Sequence, residues 1–115
     1  MKTVRFFLER RGDPDYIGYA ITVIAHVDEE NRLQTRFHTG FMGSLTKDSQ
    51  RLYPFVLRND GTIDFGFDGD YEETAKLNLF GRNLSVGDPV SYQADDEEEE
   101  IYKITAIDLI SGVSP

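Results

Sequence analysis

Residues 77–107, LNLFGRNLSVGDPVSYQADDEEEEIYKITAI, constrain the fold more than any other stretch, because apolar side chains recur there at every second position between turn residues. Leu77 and Leu79 alternate with Asn78, and Gly81-Arg82-Asn83 ends the run. Leu84 and Val86 alternate across Ser85, Gly87-Asp88-Pro89 turns into Val90-Ser91-Tyr92, and Tyr102, Ile104 and Ala106 repeat the pattern. A two-residue period is that of a strand with one face buried, so this stretch predicts three antiparallel strands.

The rest of the chain extends the pattern. Val4, Phe6 and Leu8 make a first strand, with Phe7 as an aromatic on its polar face. In the longest apolar run, Tyr16 to Val27, one face holds Ile17, Tyr19, Ile21, Val23, Ala25 and Val27, while Ala20 and Ile24 lie on the other. A strand apolar on both sides is central or covered on both faces. Asp28 to Arg32 reads as a polar loop that pairs Val27 with Leu33, Ala25 with Thr35 and Val23 with Phe37. Thr39 to Gln50 has no clear period, and is read as a short helical turn capped by Ser44 or as a loop. Asn59-Asp60-Gly61 predicts a hairpin loop with glycine in the left-handed conformation, opposing Leu57 to Ile63, Phe55 to Phe65 and Tyr53 to Phe67. Pro54 has no amide proton to donate, so its strand begins at an edge or carries a bulge.

These runs give seven or eight strands with little or no helix, and no repeat or linker divides them. The expected fold is an all-β small antiparallel meander barrel, SH3-like or similarly half-open, with a β-sandwich as the alternative. The turn Val86 to Val90 resembles the tight Gly-Asp corner of SH3-like barrels, a likeness of five residues that implies no family. One domain is expected over 1–110, with 111–115 as a frayed tail.

The chain has 115 residues, no cysteine and a net charge of −9. Its length suffices for one core, and the missing thiols exclude disulfides and thiolate metal sites and suit a reducing compartment. No run reaches the ~20 apolar residues of a membrane-spanning helix. A cytoplasmic location without membrane attachment is the expectation. The charge is uneven: residues 1–59 sum to +2, residues 60–100 to −11. An acidic half of that size would repel a phosphate backbone, so nucleic acid is not an expected partner. It would attract a basic protein or divalent cations.

Catalytic signals are sparse. His26 and His38 are the only imidazoles, and the register above sets them four rungs, roughly 13 Å, apart as two surface residues. Gly40-Phe41-Met42-Gly43-Ser44 lacks the spacing of a nucleophile elbow or a phosphate loop. Asp64, Asp68, Asp70, Glu72 and Glu73 lie around one turn, but an EF-hand aligned on Gly69 fails at Gly66 and Ala75. A looser Ca²⁺ or Mg²⁺ site would use Asp68, Asp70 and Glu72; the other reading is a solvated turn, with no cofactor. Asp95, Asp96, Glu97, Glu98, Glu99 and Glu100 form an acidic run suited to an interaction loop.

The leading expectation is a non-catalytic protein-interaction module that engages a protein partner or itself. The first alternative is a small-molecule-binding barrel lined by the surplus of 8 Phe and 6 Tyr. The second is a carboxylate-based or metal-dependent hydrolase using Asp64, Asp68 or Asp70, which requires a carboxyl group whose pKa is raised by shielding from water.

Overall fold

Alternation along the first two strands sets the inside of the molecule. Val4, Phe6 and Leu8 of β1 (Lys2–Arg10) and Ile21, Val23, Ala25 and Val27 of β2 (Ile21–Val27) are all buried, and the two strands pair antiparallel from Lys2↔Val27 to Leu8↔Ile21. The meander continues through β3 (His38–Leu45), β4 (Gln50–Leu57), β5 (Thr62–Asp68), β6 (Tyr71–Leu77), β7 (Pro89–Ala94) and β8 (Glu100–Gly112). β8 returns to β1, pairing from Lys2↔Gly112 to Arg10↔Tyr102 with register shifts between Thr3 and Val4 and between Phe7 and Leu8, and the eight strands form a closed barrel. The small all-β antiparallel meander barrel expected from the sequence is present; its wall is closed, and it is not a sandwich. Closure of the β1–β8 seam gives both strands backbone partners that an open sheet would leave unpaired. The structure, a computed structural model, describes residues 2–10, 20–45, 50–68, 71–94 and 98–112, with the side chains of 44–45, 50–51, 67–68, 71–73 and 112 left out. Among the described residues no helix is long and apolar enough to cross a membrane.

Eight strands make an interior just wide enough to be filled by side chains or to hold one small ligand. Here Phe6, Leu8, Val23, Leu57, Ile63, Tyr102 and Ile104 fill it, each without solvent exposure. Each such side chain contributes roughly 1.5–3 kcal/mol relative to exposure. Aromatic rings meet edge to face inside the wall, Phe55 with Phe65 at 5.7 Å and Tyr92 with Tyr102 at 5.8 Å between centroids. Much of the aromatic surplus is therefore packing. Phe7, on the outer face, lies beneath the Arg5 guanidinium at 4.8 Å, and Arg5 also reaches Asp108 at 3.2 Å.

β3 hides its period because of what occupies its inward positions. His38, Gly40 and Met42 point inward, and a histidine and a glycine conceal the alternation. Gly40 is required there: a Cβ would stand 2.2 Å from the Thr22 carbonyl oxygen and 2.8 Å from the Phe55 ring. The segment read as a helical turn or loop is thus strand as far as Leu45, and 46–49 lie outside the described residues. Val27 does bridge Leu33, but the expected register stops there. Three extra residues enter before β3, so Val23 faces Gly40 instead of Phe37.

The β4–β5 hairpin has the expected register at Leu57↔Ile63, and Gly61 has φ +89°. Its ladder ends at Val56↔Asp64. Arg58 donates its amide across the hairpin to Thr62, so by the two-residue period Pro54 would present its missing donor to β5. The wall parts there, leaving a surface groove of about 310 Å³ beside Phe55 and Phe65.

Leu84 and Val86 are not a strand. Residues 78–88 cross the end of the barrel as a loop that buries Leu79 and Leu84, while Val86 is exposed. Gly81 and Gly87 have φ of +77° and +98°, so the chain turns where strand pairing would have needed it straight. At the other terminus of the fold, Ser111 and Gly112, read from the sequence as tail, pair with Thr3 and Lys2; 113–115 lie outside the described residues.

Candidate functional site

An up-and-down meander sends alternate connections to opposite ends of the barrel, and the two ends differ in charge. Connections 28–37, 58–61 and 78–88 share one end and hold five acids against four bases, a net of −1. Connections 11–20, 46–49, 69–70 and 95–99 share the other and hold nine acids against two bases, a net of −7. Asp68, Glu72 and Glu100, at strand termini, belong to the acidic end.

The strands that lead into the two acidic runs, β6 and β7, are neighbours. Their ladder runs Leu77↔Tyr92, Lys76↔Gln93 and Ala75↔Ala94. Continued in the same register it would set Glu73 opposite Asp96 and Glu72 opposite Glu97. Like charges directly opposed on paired strands are destabilising. Of the run expected to interact, Asp95, Asp96 and Glu97 lie outside the described residues; Glu98 and Glu99 are exposed, and Glu100 is held by Arg10 at 3.2 Å. Of the expected cation ligands, Asp70 and the side chains of Asp68 and Glu72 lie outside the described residues. Among the described residues no three His, Asp or Glu side chains gather as a metal site would require.

Asp64 does not have the environment of a proton donor. Its carboxylate accepts the Gly66 amide at 2.8 Å and pairs with Arg58, and these two interactions, the amide first, lower its pKa. A general acid needs the opposite shift. Asp28 and Asp60 are lowered in the same way, Asp28 by the Arg32 amide and Asp60 by the Thr62 amide, as the acceptors of tight turns.

The histidines depart furthest from expectation. Instead of two surface residues about four rungs apart, their ring centroids are 6.1 Å apart and His38 is only 3% exposed. The three-residue insertion turns His38 inward at the closed end. Its Nδ1 accepts the His26 amide at 3.3 Å, so its proton is on Nε2, which donates to the Gln34 carbonyl at 2.9 Å. Both nitrogens are used, and Phe80 lies against the ring at 5.8 Å. Burial, the largest influence, lowers the His38 pKa. The His26 Nδ1 meets the Thr3 hydroxyl at 3.0 Å. This cluster fastens the insertion to β2, which is a structural role. The signal that could have found it is Phe37-His38 itself, since keeping the Val27–Leu33 register would have buried Phe37, which is 64% exposed.

Bonds between connections 28–37 and 78–88 tie the closed end. Asn31, at φ 61°, donates from Nδ2 to the Leu84 carbonyl at 3.3 Å, the Leu84 amide returns a bond to Asn31 at 3.4 Å, and Arg32 bonds Asn83. A polar groove of about 320 Å³ between Lys76, Asn78, Phe80 and Gln93 lies on the flank of this end. Comparison of the chain with protein-family models, with curated proteins and with solved structures returned no match, so the site is read from its own geometry.

Proposed function

We propose that the protein is a non-catalytic interaction module whose acidic end engages a cationic protein segment. The observation that carries this reading is that neighbouring strands β6 and β7 lead into the two acidic runs at one end, whose connecting sequences sum to −7 against −1 at the other. A field concentrated at one pole steers a basic partner to that pole and speeds encounter. The solvent-excluded side chains of the barrel interior favour recognition on the outside over a ligand within. The lowered pKa of Asp64 weighs against proton-transfer chemistry at that carboxylate. Absence of cysteine is compatible with a reducing, cytoplasmic setting.

The test is a titration with a lysine-rich peptide at about 50 mM and about 500 mM salt, where the screening length falls from roughly 14 Å to 4 Å. Binding at low salt that is lost at high salt is expected. Replacing Asp95 to Glu99 by the matching amides should weaken it by about tenfold or more, since each rim charge contributes ~0.2–1 kcal/mol. Binding that ignores both salt and these amides would remove the reading.

A further inference from the structure

The barrel wall parts between β4 and β5 because neither strand can make the next hydrogen-bonded rung. After Val56↔Asp64 a regular ladder would set Pro54 opposite Gly66, and no such pair forms. Pro54 has no amide proton to give, and the Gly66 amide is taken by the Asp64 carboxylate at 2.8 Å. Gly66 also has φ +100°, a left-handed bulge that shifts the β5–β6 register between Asp64 and Phe67. From there to the acidic end, β4 and β5 make no rung with each other.

Apolar side chains line the opening. Pro54, Phe55, Val56 and Phe65 border the groove of about 310 Å³, together with Asp64 and Gly66. Along β4, Leu52, Tyr53 and Pro54 are exposed in a row, and Val56 is exposed as well. Tyr53 belongs to the inward series of Phe55 and Leu57, yet it is 50% exposed. Three consecutive exposed apolar residues are out of place on a surface unless a partner covers them.

The charge beside the groove selects that partner. β5 and β6 are joined at the acidic end, and residues 67–75 hold Asp68, Asp70, Glu72 and Glu73 with no base. Asp64, at the groove itself, is neutralised by Arg58. We infer that the parted β4–β5 wall seats an apolar side chain of the cationic segment, whose basic residues lie about three to five positions away and face the β5–β6 turn. The spacing follows from the separation of Phe65 from Asp68 and Asp70, three and five residues along the chain, or roughly 10 to 17 Å at ~3.4 Å per residue. A second copy of this chain would set two such acidic turns near each other and is disfavoured. The inference rests on the acidic end engaging a cationic segment, and adds to it an apolar anchor at a fixed spacing.

The experiment titrates the whole chain with three peptides at about 50 mM and about 500 mM salt. One is the lysine-rich peptide. The second adds a phenylalanine about four residues from the lysine run, and the third, of the same composition, places it directly beside the run. The second should bind at least about tenfold more tightly than the other two and keep measurable affinity at high salt, because buried apolar contact is not screened. Amide NMR shifts at 55–56 and 64–66 should accompany it and be absent with the lysine-rich peptide. Val56→Gln, at an exposed position, should remove the gain and leave the affinity for the lysine-rich peptide as it was. Equal affinity for the second peptide and either of the others, or a gain that survives Val56→Gln without shifts at 55–56 and 64–66, overturns the anchor. Salt-sensitive binding of the lysine-rich peptide would then still uphold the acidic end. No binding by any of the three at low salt overturns both.

Discussion

The two ends of this barrel solve opposite problems. At one, two connections contribute Leu33, Leu79 and Leu84 to the core and tie themselves together through Asn31, Arg32 and Asn83. At the other, the described strands β6 and β7 lie side by side and lead into the two acidic runs. Burial and hydrogen bonds specify the closed end, so changes there should be read as stability. The acidic end carries a net of −7 in its connecting sequences, so changes there should be read as binding. Loss of stability at one end and loss of partner at the other would be separable phenotypes.

The largest effect expected from breaking that contrast is at the closed end. Leu84→Ala removes a fully buried plug and should cost about 2–5 kcal/mol, measured by urea unfolding. Gly40→Ala comes next: the new methyl must displace the Thr22 carbonyl or the Phe55 ring, at a cost of about 1–3 kcal/mol. The His38 cluster sharpens the comparison through pH. Because burial lowers the His38 pKa below its ordinary value of 6.5, the unfolded chain takes up the proton first. The stability His38 provides is complete above about pH 6.5 and is lost as pH falls through the folded-state value. Protonation would also set an Nδ1 proton against the His26 amide. His38→Gln should flatten the decline just below pH 6.5, while the decline from Asp28, Asp60 and Asp64, whose pKa values are lowered from 3.8, persists at more acidic pH. The smallest effect belongs to the acidic end, where amides at Asp95 to Glu99 should change unfolding free energy by no more than about 0.5 kcal/mol while weakening peptide binding.

How much of this was legible in the sequence depended on whether a position's role is local. Alternation identified β1, β2 and β8, because Val4-Phe6-Leu8, Ile21 to Val27 and Tyr102-Ile104 pack on one side and nothing else occupies the pattern. Asn59-Asp60-Gly61 named its own turn, since left-handed backbone at that place calls for glycine. Three features were not visible. β3 presents His38 and Gly40 inward, and those side chains give no apolar signal. Leu79 and Leu84 alternate with polar neighbours as strand residues do, yet they are buried by plugging an end, and a plug has no period. That the strands leading into 69–70 and 95–99 lie side by side is a fact of topology that neither run contains. The individual acidic runs could be named from the sequence, but their shared pole could not.

The contrast between the ends is tested most directly by amide hydrogen exchange with and without the lysine-rich peptide at low salt. Slowing confined to amides within Asp68 to Glu72 and Ala94 to Glu100, with 28–37 and 78–88 unchanged, is the predicted result. Slowing centred on 78–88, or no slowing anywhere at peptide concentrations that saturate binding, would contradict it.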